Sequence, residues 1–154
     1  MKYQRVSLPA FRVIGIAGST DDGADFIRRL WDEANARFGE IAAHALTDEN
    51  GAPRVWGLMS DMAMDFRPWE DGFTRGRYLA GVEASQDAPV PEGWEAWTSP
   101  AYEYVTAPQD GPEAFAAALG YLAENGLELV GAAYDRPVPG NGGFIYLPVR
   151  KLNV

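Results

Sequence analysis

The sequence predicts an α+β fold made of a duplicated β-α-β-β repeat with pseudo-twofold symmetry. In such a fold an antiparallel sheet carries the helices on one face, and a groove runs between the repeats. Two strand-like segments echo each other, because Arg77–Ala84 reads RYLAGVEA and Phe144–Lys151 reads FIYLPVRK. The echo aligns Tyr78 with Tyr146. Strand-like and helix-like patterns also follow one another in the same order in both halves, which a duplication explains.

The first half shows three strand patterns and one helix pattern. Strands are predicted at Phe11–Ala17, Arg54–Ser60 and Arg77–Ala84, which are rich in β-branched, aromatic and other apolar residues. A helix is predicted from about residue 22 to 38, because apolar side chains recur there at three- and four-residue spacing. Gly39 is expected to cap its C-terminus. The apolar stripe consists of Ile27, Leu30, Trp31, Ala34 and Phe38.

The second half repeats this order. A strand is predicted at Tyr102–Thr106, and a helix is predicted to open at Asp110–Glu113, where Asp, Pro and Glu suit a capped N-terminus. Two more strands are predicted at Leu127–Tyr134 and Phe144–Arg150. A hairpin loop rich in Gly and Pro separates them at Pro137–Gly143.

Length and composition indicate one globular unit. We expect a single domain over residues 1–154, with repeat one at about 5–85 and repeat two at about 97–152. Hydrophobic residues make up 47% of the chain, which excludes a disordered protein. The net charge of −9 argues against direct nucleic-acid binding, because that requires a basic surface. With no apolar run of membrane-spanning length, no signal-peptide pattern and no cysteine, we expect a cytoplasmic protein that does not bind membranes.

The sequence has no pattern typical of a metal site, a cofactor site or a serine nucleophile. His44 is the single histidine, so a site with several histidines is excluded. The glycine-rich segment Gly15–Gly23 has no P-loop lysine, and Asp21 and Asp22 would repel a phosphate. The G-x-S-x-G pattern of serine hydrolases is absent. We expect no metal, no cofactor and no catalytic residue, except Glu83 in the alternative given below.

Aromatic residues, at 12% of the chain, are the strongest compositional indication of a binding pocket. Tyrosine and tryptophan combine flat apolar area with a polar group, and their ring faces attract cations. If Leu79 and Leu147 belong to the helix-covered face of the sheet, Tyr78 and Tyr146 lie together on the opposite face.

Three acidic residues occupy predicted strand ends. Glu83 ends the apolar run Tyr78–Val82, where it could pair with a cationic ligand or act as a general base. It could equally be a solvated strand end. Asp61 and Asp135 stand at the ends of the second strands of the two repeats, and a structural capping role is predicted for both.

Six segments carry a resemblance to a known family. They are WGLMSD (Trp56–Asp61), FRPWEDGF (Phe66–Phe73), RYLAGVEA (Arg77–Ala84), PEGWEAWTSPAYEY (Pro91–Tyr104), LVGAAYD (Leu129–Asp135) and FIYLPVRKL (Phe144–Leu152). In this order they resemble the GyrI-like small-molecule-binding domain family, which is similar to the effector-binding domains of AraC- and MerR-type multidrug regulators. The resemblance covers roughly residues 5–152. It implies two β-α-β-β repeats with a ligand groove between them, where aromatic residues and commonly a buried glutamate bind hydrophobic cations.

The chain departs from the family at the position of that glutamate. Drug-binding members commonly carry it on the strand that matches Leu129–Tyr134, where this chain has Ala132 and Ala133. Glu83, on a facing strand, is the nearest substitute. No basic helical segment precedes Phe11, so the chain resembles the stand-alone members. The predicted ligand-binding residues are Trp56, Trp69, Tyr78, Glu83, Tyr104, Tyr134 and Tyr146.

Three functions follow from the resemblance and the residues. The first is the binding of small hydrophobic molecules, cations among them, by a stand-alone sensing or sequestering module. The second is hydrolysis of reactive cyclopropane-containing compounds, as in some GyrI-like proteins, with Glu83 activating water. The third is interaction with gyrase, for which an acidic surface would mimic DNA. The sequence leaves open whether the protein has a protein partner or forms a homodimer.

Overall fold

The computed structural model describes residues 2–138 and 142–153, and part of the predicted hairpin loop at Pro137–Gly143 lies outside them. Eight strands and three helices occur in the described part of the chain. In order they are β1 Gln4–Leu8, β2 Phe11–Ser19, α1 Phe26–Ala36, β3 Val55–Ser60, the short α2 Glu70–Phe73, β4 Arg77–Ala84, β5 Glu95–Ser99, β6 Tyr102–Pro108, α3 Ala114–Glu124, β7 Tyr134–Arg136 and β8 Phe144–Lys151.

All eight strands form one curled antiparallel sheet in the order β1-β6-β8-β7-β3-β4-β2-β5. Exchanging β1–β4 for β5–β8 reverses this order onto itself, so the sheet has pseudo-twofold symmetry. The repeats meet at the pair β3–β7, where Gly57 lies opposite Asp135. The predicted α+β fold with a duplicated β-α-β-β repeat is confirmed. Each repeat also begins with an edge strand, which pairs with a strand of the other repeat. Strand β1 pairs with β6, and β5 pairs with β2.

Both helices that cover the sheet lie on the same face. Helix α1 packs through its apolar stripe against β2 and β4, and α3 packs through Ala118 and Leu122 against Ile145 and Leu147. The helix-free face carries a second set of buried side chains, which we call the aromatic core. Its aromatic members are Phe11, Trp56, Trp97, Tyr102, Tyr104 and Tyr134, with Phe66 and Tyr146 packed against them.

Tyr78 and Tyr146 lie on opposite faces of the sheet, so the prediction that they share a face is wrong. Tyr78 packs under α1, whereas Tyr146 packs against the aromatic core. Leu79 belongs to the aromatic core, while Leu147 faces α3 as predicted. Because side chains alternate along a strand, the apparent echo between β4 and β8 is out of register with the structural repeat by an odd number of residues.

The strand predicted at Leu127–Tyr134 is wrong except at its last residue, since β7 covers only Tyr134–Arg136. The backbone N–H of Val130 donates to the Pro148 carbonyl of β8, but proline has no N–H to return a bond. The next N–H on the same edge of this segment, that of Ala132, donates to the Phe66 carbonyl instead. The backbone N–H groups of this segment therefore bond partly to a loop, and no continuous β-ladder forms with β8.

Both predicted helix boundaries also shift. Helix α1 spans Phe26–Ala36, because the acidic residues before it form a separate 3₁₀ turn capped by Ser19. Gly39 is not its C-cap, which is Arg37. Helix α3 begins at Ala114, and its N-cap residue Glu113 makes no capping hydrogen bond, so the capping box predicted there is wrong.

Candidate functional site

A cavity of about 290 Å³ lies between the repeats on the helix-covered face, and we call it the inter-repeat cavity. The first repeat contributes β3 and the segment that contains α2. The second repeat contributes the start of α3, the irregular segment before β7, β7 itself and β8. The lining residues are Met59, Pro68, Trp69, Phe73, Gln109, Phe115, Leu129, Ala133, Asp135 and Ile145.

Asp135 is the one ionisable side chain in this lining. Burial raises the pKa of its carboxyl group, and a hydrogen bond from Tyr78 opposes the increase. The Tyr78 hydroxyl donates to Asp135 Oδ2 at 2.7 Å and accepts from Trp31 Nε1 at 3.1 Å. Burial, followed by the charge of Asp135, raises the pKa of the Tyr78 hydroxyl, so the phenol stays protonated as the donor. The arrangement holds a largely desolvated acid at the edge of a mostly apolar space.

Aromatic rings form the outer wall of the inter-repeat cavity. The Trp69 indole is oriented by a 3.0 Å hydrogen bond from its Nε1 to the Arg77 carbonyl. Phe73 contacts Phe115 of α3 edge to face, with ring centroids 5.2 Å apart. Phe73 has a positive φ of 68°, which non-glycine residues rarely adopt, and its side chain is exposed. The wall thus joins the two repeats through an aromatic pair.

A second cavity of about 280 Å³ lies on the helix-free face, and we call it the arginine cavity. Its lining residues are Leu8, Pro9, Phe11, Arg54, Trp56, Glu83, Arg136 and Tyr146. Glu83 uses both carboxylate oxygens here. Its Oε2 accepts from Arg54 Nη1 at 3.1 Å, and its Oε1 accepts from Trp56 Nε1 at 3.0 Å.

Comparison with known proteins gives matches among solved structures. No protein-family model and no curated protein matches the sequence. A structure of SAV2435 bound to tetraphenylphosphonium is 18% identical, with a TM-score of 0.64 over 97% of this chain and 94% of that one. The C-terminal domain of EcmrR is 16% identical, with a TM-score of 0.62 over 99% of this chain and 100% of that one. The integron cassette protein VCH_CASS2 from Vibrio cholerae is 14% identical, with a TM-score of 0.55 over 99% and 97% of the two chains.

The chain shares the fold of these proteins. At such low identities the likeness concerns the arrangement of strands and helices. It is consistent with the GyrI-like α+β fold that the sequence resemblance implied.

The seven predicted ligand-binding residues do not share one cavity. Trp69 lines the inter-repeat cavity. Tyr78 lies behind it, bonded to Asp135, and lines an adjoining cavity of about 190 Å³ that Asp135 also lines. The other five are on the helix-free face. Trp56, Glu83 and Tyr146 line the arginine cavity, and Tyr104 and Tyr134 are fully buried in the aromatic core. Whether any of them contacts a ligand stays a prediction.

The sequence predicts a capping role for Asp135 and does not indicate that it lines a cavity. Asp61 does take the predicted role, since its Oδ1 accepts from the Asp65 N–H at 2.7 Å. Asp135 instead lies inside a paired strand, opposite Gly57 and Ile145. The sequence feature that indicates its position is an acidic residue directly after the apolar run Leu129–Tyr134. The alternation of side chains along the strand places this residue on the helix-covered face.

Residues 2–138 and 142–153 contain neither a metal-binding cluster nor a membrane-spanning helix. In this part of the chain no group of three or more acidic or histidine side chains is arranged to hold a metal ion. Over the same residues, no helix has the length and hydropathy needed to cross a membrane.

Proposed function

We propose that the chain binds small hydrophobic cations in the inter-repeat cavity, with Asp135 as the counter-charge. The observation that carries this proposal is a largely desolvated carboxylate with a raised pKa, in a lining whose one other polar side chain is that of Gln109. Desolvation of a carboxylate that has a tyrosine donor but no salt-bridge partner among the described residues is costly, and an organic cation of low hydration would offset that cost. A small inorganic cation would lose too much hydration in a space where only Gln109 adds a second polar side chain.

The walls of the inter-repeat cavity suit such a ligand. Trp69, Phe73 and Phe115 present aromatic surface, which attracts the diffuse charge of an organic cation. A volume of about 290 Å³ matches the lower end of the range for small-molecule sites. The structural likeness to SAV2435, which was solved with tetraphenylphosphonium, gives further support for this class of ligand.

We infer that the whole chain acts as one unit, because both repeats contribute to the lining of the cavity. Trp69 and Phe73 come from the first repeat, and Phe115 and Asp135 come from the second. In this proposal Trp69 contacts the ligand, and Tyr78 orients the Asp135 carboxylate. The biological role would be that of a sensing or sequestering module in the cytoplasm, a location that the absence of cysteine also favours.

The test uses two ions of the same shape and opposite charge. Purified protein is titrated by calorimetry with tetraphenylphosphonium and with tetraphenylborate. We expect the cation to bind and the anion to bind at least about tenfold more weakly, since only the cation can pair with Asp135. Equal affinity for the two ions, or a preference for the anion, would contradict the proposal.

No observation specifically favours hydrolysis of cyclopropane-containing compounds. In that alternative Glu83 would activate water, but both of its oxygens already accept hydrogen bonds, from Arg54 and from Trp56. The alternative predicts turnover that disappears in Glu83→Gln. A product assay with wild-type protein and this variant separates it from simple binding.

A further inference from the structure

We propose that the arginine cavity is a second binding site, for small planar aromatic carboxylates, with Arg136 as the group that binds the anion. This inference is independent of the proposed function, because the arginine cavity lies on the other face of the sheet from the inter-repeat cavity. The ligand class follows from three features of the site: its charge, its aromatic walls and the position of Arg136 in β7.

The charged groups of the arginine cavity leave an excess of one positive charge. Its lining contains two guanidinium groups and one carboxylate. Glu83 is already paired with Arg54. Within residues 2–138 and 142–153, Arg136 has no carboxylate partner, and its hydrogen bonds go from Nη1 to the backbone carbonyls of Val55 at 3.0 Å and Pro137 at 3.4 Å. In a chain of net charge −9 this is a local positive site, and an anion is the complementary ligand.

The guanidinium group of Arg136 is held rigidly enough to present a fixed binding edge. Its central carbon lies 5.2 Å from the centroid of the Trp56 ring, over the ring face. The two backbone acceptors engage Nη1, which leaves Nε and Nη2 for a carboxylate. Arginine binds planar carboxylates through two parallel N–H donors, so a carboxylate fits this edge better than a spherical anion does.

The remaining walls suit a flat apolar ring. Phe11 and Trp56 have ring centroids 4.8 Å apart, and Tyr146 meets Trp56 edge to face at 5.0 Å. Leu8 and Pro9, at the end of β1 and just beyond it, complete the apolar side. A cavity of about 280 Å³ has room for a ligand of one or two fused rings.

Strand β7 places opposite charges on opposite faces of the sheet. Asp135 points to the helix-covered face and bonds Tyr78, whereas Arg136 points to the helix-free face and lies over Trp56. The alternation of side chains along a strand produces this separation from two adjacent residues. The two cavities are therefore expected to select ligands of opposite charge.

The first test compares an acid with its neutral analogue on the wild-type protein. Calorimetric titrations use 2-naphthoate and 2-naphthamide, which differ in charge but hardly in shape. Hydrogen bonds to a charged group contribute more than neutral ones, so we expect naphthoate to bind at least about tenfold more tightly than the amide. Equal binding of the two compounds, or no binding of naphthoate, would overturn the proposal.

The second test locates the site. Arg136→Gln is expected to weaken naphthoate binding at least about tenfold and to leave naphthamide binding nearly unchanged. Arg150→Gln is the matched control, because it removes the same charge from an exposed arginine that lines neither cavity, and it is expected to keep naphthoate binding. Unchanged naphthoate binding in a folded Arg136→Gln protein would overturn the proposal. If that variant does not fold, Arg136→Lys replaces it, because lysine keeps the charge but loses the planar pair of donors, and a weaker preference for the acid is then expected.

Discussion

The Tyr78 hydroxyl donates a 2.7 Å hydrogen bond to the Asp135 carboxylate, and this bond joins the two repeats across the centre of the sheet. Tyr78 is on β4 of the first repeat, and Asp135 is on β7 of the second. Gly57 of β3 lies between them, and a Cβ atom there would overlap the Tyr78 hydroxyl. The acid of the inter-repeat cavity is therefore positioned by a tyrosine and a glycine from the other repeat.

The bond from Tyr78 is expected to stabilise the fold. Tyr78→Phe leaves Asp135 without this donor and Trp31 Nε1 without this acceptor, so we expect the free energy of unfolding to fall by about 1–3 kcal/mol. Urea denaturation measures this loss of unfolding free energy. Tyr104→Phe is the matched control, because the Tyr104 hydroxyl is buried and has no hydrogen-bond partner among the described residues. That variant is expected to be neutral or slightly more stable, and an equal loss in both variants would contradict the assignment.

The absence of a side chain at Gly57 is expected to be essential for the same bond. In Gly57→Ala the new methyl group must displace Tyr78, which we expect to lower the free energy of unfolding by about 1–3 kcal/mol. Gly120→Ala serves as the control, because a Cβ atom at that exposed position in α3 meets nothing within 4 Å. The control is expected to gain up to about 1 kcal/mol from helix propensity. A neutral Gly57→Ala in thermal and urea unfolding would show that the space is not restricted.

The raised pKa of Asp135 predicts a pH dependence of both stability and cation binding. Its native pKa lies above the ordinary value of 3.8, so the charged form is disfavoured in the folded protein. The stabilisation contributed by the protonated Asp135 carboxyl is fully present below pH 3.8 and is lost as the pH rises through the native pKa. The wild type should therefore lose stability relative to Asp135→Asn over this range, while its affinity for tetraphenylphosphonium increases.

The measurement is urea unfolding of both proteins at intervals from about pH 3.5 to 7, with cation titrations under the same conditions. The difference in unfolding free energy between the two proteins carries the effect of Asp135, because their other ionisable groups are the same. A difference that does not change with pH, together with a flat affinity profile, would show that Asp135 does not titrate in this range.

The fold class was predictable because the apolar patterns of β2, β4 and β8 are long and uninterrupted. The edge strands β1 and β5 were missed because their sequences QRVSL and EAWTS are short and partly polar, as edge strands commonly are. The strand predicted before β7 failed because Pro148 of β8 cannot return a hydrogen bond to Val130. The residue pattern of one segment does not reveal which strand that segment will meet or whether that strand can pair with it.

The candidate site was less predictable than the fold. The sequence echo pairs Tyr78 with Tyr146, and a register error of an odd number of residues moves a side chain to the other face of the sheet. Glu83 is predicted as the pocket acid because it ends an apolar strand, but it lies in the arginine cavity and is paired with Arg54. The role of Asp135 depends on its long-range neighbours Gly57 and Tyr78, which no local pattern specifies.

The most direct test of the account is the affinity of two charge-neutralising variants for tetraphenylphosphonium. Asp135→Asn and Glu83→Gln each remove one negative charge, so long-range electrostatics change equally, but only Asp135 lines the inter-repeat cavity. By calorimetry at neutral pH, we expect Asp135→Asn to weaken binding at least about tenfold and Glu83→Gln to change it by less than about twofold. Unchanged binding in Asp135→Asn, or a larger loss in Glu83→Gln, would contradict the assignment of Asp135 as the counter-charge.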